Sequence, residues 1–428
     1  MPAVPDTTVK YYNSGWADAP TVTNTWGNLT AFLDAVLVTG FGLKVVNSIT
    51  YDPVTGLAKA IISSGHNFQT QQVVKVEGAH QAEYNGEWRV DSVTTNDVYF
   101  KLSAVPSSNV ATPNPAFSMK SAPLGFEIAF SRDYKRCYRS LNPNSPGNML
   151  VVYDGPKDTG YDNGWAKWAN VGIAESMSDV DTHTGAQAPY DPNNPRQNWR
   201  SVQANQFGWY KWYFGLSNAY DYNGDSGGGN RNWVIIGDNQ TFYLYITNAA
   251  GYNWYGRQMY TFGDINTFKP GDQFHTVLDA SDRYWSNANS HWSYPGQGNA
   301  YGLAASIDGT GKTMLRNHTQ IGNPVGWSVT SLNTNNGQQI SGRGGIPFPN
   351  APDYSLWLMP VYCRQSDGNI RGMMPGIFWV PQWTPYSDQA VVDNVVGQEG
   401  RRFVLVKSQY SSETEGAQMA FDLTGPWR

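Results

Sequence analysis

Only two cysteines, Cys137 and Cys363, occur in 428 residues. Their wide separation excludes a disulfide framework and any paired metal-ligand spacing, and both thiols read as reduced core residues. Charge is scarce as well. Lys, Arg, Asp and Glu make up 15% of the chain, against about 25% in an average soluble domain. With 29 basic and 34 acidic residues the net charge is -5, which leaves no broad positive field for phosphate backbones, so no nucleic acid is expected as a partner. No apolar run reaches the roughly 18 residues of a membrane span, and the stretch 31–38 is broken by Asp34, so no membrane insertion is expected. Met1 to Thr8 hold neither the charged segment nor the apolar core of a secretory leader, and the expectation is a soluble chain that folds in the cytoplasm. The six histidines, His66, His80, His183, His275, His291 and His318, show no HExxH or comparable spacing, so no metal or other cofactor is expected.

Aromatic residues and glycine are abundant: 17 Trp, 26 Tyr, 17 Phe and 44 Gly. Short runs of β-formers between turn residues predict a mostly β protein. One segment reads as an amphipathic helix, because Trp26, Leu29, Phe32, Leu33, Val36 and Leu37 recur at spacings of three and four. Thr25 or Asn24 is the expected cap, and Gly40 and Gly42 the expected end. Between residues 44 and 120 the strands 58–63, 72–77, 88–93 and 98–102 predict a small inserted β-sandwich or barrel module. Asn85-Gly86 reads as a tight turn within it, and the Pro-rich stretch 106–115 as its close. The organisation expected is therefore 1–43 as the N-terminal segment and helix, 44–120 as the inserted domain, and 121–428 as a β-sandwich-like main body of one or two subdomains. Strands are expected at 126–130 and 149–153, and the clearest hairpin at 232–246 around Gly237-Asp238-Asn239-Gln240. Segments 193–198, 221–232 and 333–352 read as loops, the kind of segment that mediates contacts on a rigid β-body.

Candidate chemistry is sparse. Ser306 to Thr313 ends in Gly-Lys-Thr, but Ser306 stands where a phosphate loop needs glycine, so a surface turn is expected. Asp221, Asn223 and Asp225 have the alternate spacing of a calcium loop, yet Gly227 falls one place late and Asn232 replaces the bidentate Glu. A solvated Gly-rich loop is the better reading. Gly224-Asp225-Ser226-Gly227-Gly228 resembles the nucleophile segment of chymotrypsin-like proteases. Ser226 would need a histidine base and an orienting carboxylate, and the nearest look-alike setting, Gly78-Ala79-His80-Gln81, lies in the inserted module. Carboxylate pairs for glycoside hydrolysis leave no mark in a sequence, whereas Trp and Tyr serve both to stack on sugars and to fill β cores. No catalytic, cofactor or metal residue is assigned, and the expectation is a protein that is not an enzyme, with a serine hydrolase acting through Ser226 as the alternative.

Several segments carry a resemblance. They are Val9-Lys10-Tyr11-Tyr12, Phe32 to Ala35, Gly40-Phe41-Gly42-Leu43, Gly125-Phe126-Glu127, Tyr138-Arg139-Ser140 and Met177 to Thr182. Phe242-Tyr243-Leu244, Phe262-Gly263-Asp264, Met374 to Ile377 and the stretch Phe421 to Arg428 continue the series. Together they resemble a family of structural proteins encoded in the morphogenesis regions of tailed bacteriophages and prophages. Ser64-Gly65-His66, Val74 to Ala79 and Tyr84-Asn85-Gly86 are similar to small β-domains of phage virion proteins. The resemblance implies a virion component at the neck, tail or capsid surface, folded in the host bacterial cytoplasm, with other virion proteins and copies of itself as partners. A receptor-binding or fibre protein that contacts host surface glycan is the alternative. It implies no catalytic residues.

Overall fold

Burial along the strands explains how this sequence becomes sheet. Trp233–Gly237 and Thr241–Thr247 are buried at every position, so each strand has both faces covered and reads as an apolar run. Lys10–Asn13 and Asp97–Lys101 alternate instead, one face inward and one toward solvent. A computed structural model describes residues 5–156, 166–190, 210–217, 226–252, 257–281, 312–330, 347–382, 386–393, 395–408 and 417–428. The protein is mostly β, with one short helical segment near its N-terminus.

Among the described residues the strands form three antiparallel sheets. The longest has thirteen strands and runs from Lys10–Asn13 at one edge to Ala390–Asp393 at the other. A six-stranded sheet spans His183–Ala188 to Phe126–Arg132. The third has seven strands, all between Phe41 and Ser121.

The main core lies between the first two sheets and takes in the helix. Trp233, Ile235, Phe242, Leu244 and Tyr260 from the long sheet meet Tyr138, Leu150, Val152, Val171 and Ile173 from the six-stranded one. Residues of opposite parity face another way. Val234, Ile236, Tyr243 and Tyr245 join Trp379, Val404, Val406, Met419 and Phe421 in a second core, so the long sheet curls its early strands against its late ones. Several of the large aromatic rings hydrogen-bond through their polar atom. Tyr12 Oη donates to Ala122 O at 2.6 Å, Trp212 Nε1 to Asp279 O at 2.9 Å, and Trp327 Nε1 to Leu278 O at 3.1 Å.

The helix forms where its spacing predicts, over Asn28–Leu33, and continues as a π-helical stretch, Asp34–Thr39. It buries Leu29, Phe32, Leu33, Val36 and Leu37 in the main core, so its apolar face is spent inside the chain. Its cap differs from expectation. Gly27, in the left-handed region at φ 79°, precedes the first turn, and Asp154 from a distant strand end accepts the Leu29 and Thr30 N–H groups at 2.7 and 3.3 Å. A buried carboxylate does what Asn24 or Thr25 was expected to do. Gly40 and Gly42 close the segment with φ of 75° and 69°.

Two local expectations in the seven-stranded sheet are corrected. Asn85 is extended rather than turned, because its side chain clamps the Ala79 backbone through both amide atoms, at 2.9 and 2.7 Å, across a 3-10 turn over Ala82–Tyr84. Pro113 and Pro115 lie within a strand, Pro113–Ser121, at its exposed start, where the register shifts between Glu77 and Ala79 and fewer ladder hydrogen bonds are required.

Candidate functional site

The segment around Ser226 can be built from the residues upward. Gly224 and Asp225 lie outside the described residues, as do Asp221 and Asn223 of the calcium-like spacing. Ser226 itself forms a bridge with Leu216. Its Oγ accepts from Asn24 Nδ2 at 2.8 Å and donates to Ala166 O at 3.2 Å. His80 is held in the seven-stranded sheet, its N–H donating to Thr112 O at 2.8 Å, so the two are not brought together.

The glycines after Ser226 are fixed by Arg231. This fully buried guanidinium donates to six carbonyls. Nε reaches Phe214 O at 2.6 Å and Asn248 O at 3.3 Å, Nη1 reaches Gly228 O at 3.2 Å and Gly229 O, and Nη2 reaches Leu216 O at 3.3 Å and Gly227 O. Burial lowers its pKa to about 10, so it stays cationic at neutral pH. The loop expected over 221–232 exposes Gly228, Gly229 and Asn230 to solvent and is, from Ser226 to Arg231, braced by a buried charge.

The other candidates also have definite places. Lys312 and Thr313, expected in a surface turn, are buried in a strand, Lys312–Met314, and residues 306–311 lie outside the described set. Lys312 Nζ sits 3.2 Å from Asp279 Oδ1 on the neighbouring strand, a cross-strand ion pair that explains its burial. Cys137 and Cys363 are free and buried, as expected, and burial pushes the Cys137 thiol up to about 12 and raises that of Cys363. His66 contacts Asp97 O at 3.1 Å and His275 contacts Asp272 O at 2.5 Å, while His291 is outside the described residues. Among the described residues no group of three or more His, Cys, Asp or Glu could hold a metal.

A different constellation gathers the segments singled out by their resemblance. The Tyr243 ring packs at a tilt against Phe421 and Trp427, at centroid distances of 5.3 and 5.9 Å, and its hydroxyl donates to Pro375 O at 2.8 Å. Gly376, at φ 66°, seats the Trp427 indole so closely that a Cβ would have no room. Gly425 also leaves no room for a Cβ, lying close against Asp6 and Val9. Arg428 pairs with Asp238, donates to Thr241 Oγ1 at 2.7 Å and reaches Asp264 O. Pieces of chain hundreds of residues apart thus meet in one buried knot.

On the outer face of the late strands, Phe348, Leu356 and Leu358 cover Val380, Phe403 and Leu405. The loop that carries them exposes Tyr354 at 79% and Trp357 at 43%. Sequence reasoning missed Arg231, Asp154 and Gln382: Asp154 and Gln382 find partners 25 to 125 residues away, and Arg231 binds backbone carbonyls, which leave no side-chain pattern. Pro352-Asp353-Tyr354-Ser355 did carry a signal, a turn sequence with an aromatic at its tip.

Among the described residues no helix is long and apolar enough to cross a membrane. No family model matches the chain, and no curated protein does. A search of solved structures matches the phage phi92 endosialidase at 10% identity and a TM-score of 0.17, over 90% of this chain and 52% of that one. This chain therefore spans about half the length of that protein. The expectation that the chain is not an enzyme is corrected by this finding, because the matched protein is titled an enzyme, and the expectation is withdrawn. At a TM-score of 0.17 the likeness assigns no reaction or site here.

Proposed function

We propose that this chain is a structural component of a tailed-phage particle, assembling with copies of itself and with other virion proteins at the neck, tail or capsid surface. The observation that carries the reading is the buried knot. The segments that resemble phage morphogenesis proteins, Val9 to Tyr12, Phe242 to Leu244, Phe262 to Asp264, Met374 to Ile377 and Phe421 to Arg428, supply residues that hold the body together. A pattern spent on internal packing fits a subunit whose task is to keep its shape within an assembly. In the same reading, residues 44–120 are an inserted module carried on the body. Mass spectrometry and antibody-gold labelling of purified particles test it. The protein is expected at a fixed copy number per particle, and its absence from particles sinks the reading. A second reading, contact with a host surface glycan, is supported by the exposed Tyr354 ring.

A further inference from the structure

Tyr354 stands in an unusual backbone setting. Its φ is 55°, in the left-handed region that disfavours a bulky side chain and suits glycine or asparagine. The surrounding loop enforces it. Tyr354 N–H donates to Asn350 O at 2.6 Å, and Asn350 N–H to Ser355 O at 3.1 Å. Asp353 Oδ1 gathers Asn350 Nδ2, Ser355 Oγ and Ser355 N–H at 2.6, 2.8 and 3.1 Å. Beneath lies Gln382, buried, whose Oε1 accepts from Trp357 N–H at 2.6 Å and whose Nε2 donates to Pro347 O at 2.9 Å and Ser355 O at 3.0 Å.

The arrangement is costly for a surface loop that only connects strands. A strained residue is retained where the surroundings over-determine it, and here they deliver an aromatic ring to solvent with little freedom left to lose. Trp357 follows three residues on, partly exposed and tied by its N–H to the same glutamine. Around the rings the loop exposes the Asp353 carboxylate and, in part, the Asn350 amide, among Pro349, Ala351 and Pro352, while Ser355 is buried. Rigid aromatic faces beside a carboxylate and an amide suit the alternating apolar and hydroxylated surface of a sugar ring.

We propose that Tyr354 and Trp357 form the stacking element of a carbohydrate subsite that takes a pyranose ring of a bacterial surface polysaccharide. The proposal rests on the second reading above and does not depend on where in the particle the chain sits. Its test is an array of bacterial lipopolysaccharides and capsular polysaccharides probed with the full-length chain and with Tyr354→Phe, Tyr354→Asn and Tyr354→Ala/Trp357→Ala. The wild type is expected to bind at least one polysaccharide and Tyr354→Phe to bind it comparably, because the ring is kept. Tyr354→Asn should bind it at least about tenfold more weakly while its thermal midpoint holds or rises, since asparagine tolerates this φ. The double variant should lose binding. A wild type that binds nothing on the array, or a double variant that binds as the wild type does, overturns the proposal. Particle mass spectrometry is read separately, so the virion role stands or falls on its own.

Discussion

Arg231 places a full positive charge among six carbonyl oxygens from three stretches of chain, 214–216, 227–229 and Asn248. Removing it leaves several buried acceptors without donors, each costing about 1–3 kcal/mol. Arg231→Met is therefore expected to lower unfolding free energy by at least about 3 kcal/mol in a urea titration. Arg231→Lys should recover only part of that, because one ammonium cannot span six acceptors. A second buried cation behaves differently because it has an acid. Arg371 Nε and Nη2 meet the two carboxylate oxygens of Asp272 at 2.6 and 2.8 Å, both residues almost wholly buried. Burial alone would raise the Asp272 carboxyl, but the Arg371 hydrogen bonds, the Phe274 N–H and the Arg371 charge outweigh it and hold the group below its ordinary value. A depressed carboxyl contributes stability that is complete above its unfolded pKa, about 3.9, and is lost as pH falls through the folded value. Urea midpoints measured from pH 6 down to pH 2 should fall steeply below about pH 4 in the wild type. The fall should be shallower in Asp272→Asn, which starts lower.

At the scale of elements, the helix shows how local and distant determinants divide. Its existence was legible because Leu29, Phe32, Leu33, Val36 and Leu37 repeat at helical spacing, and the hairpin of Trp233–Gly237 and Thr241–Thr247 was legible because β-formers flank a polar turn. The cap was not legible, since Asp154 reaches the first turn from more than a hundred residues away. Asp154→Ala is expected to cost about 1–2 kcal/mol, the usual worth of a helix cap in a buried setting, and thermal unfolding of the purified chain checks it. The strand Pro113–Ser121 was hidden for the opposite reason: two prolines argued locally against a strand that a neighbouring bulge and an exposed position permit. Lys312 and Thr313 were misplaced because a Gly-Lys-Thr sequence looks like surface, whereas Asp279 on the adjoining strand makes the lysine a tolerable core residue. As for the candidate site, the turn at Tyr354 was legible in Pro352-Asp353-Tyr354-Ser355, but its strained backbone was not. Its φ is set by Asn350, Asp353 and Gln382 acting together, and no single one announces it.

Across the whole molecule, the segment from Asp6 to Asn13 joins two bodies. Lys10–Asn13 pairs with Trp233–Gly237 in the long sheet. On its other side Lys10 Nζ meets Glu87 Oε2 at 2.8 Å, and Arg89 of the seven-stranded sheet donates to Asp6 O, Val9 O and Gln71 O at 2.8, 3.0 and 3.0 Å. Arg89→Ala should release this strap. Hydrogen–deuterium exchange is expected to quicken over residues 5–13 and along Gly86–Val93, with little change in the distant helix; unchanged protection of the strap would contradict the assignment. The seven-stranded sheet has one further property. Phe41 pairs with Ser121 across neighbouring strands, so the chain departs and returns about 5 Å apart. A doorway so narrow would by itself be blind to what hangs behind it, but Glu87 and Arg89 reach back to Lys10 and to the Asp6 and Val9 carbonyls. Any change to the stretch between those two residues has therefore two seams to respect, the close pair of strand ends and the strap.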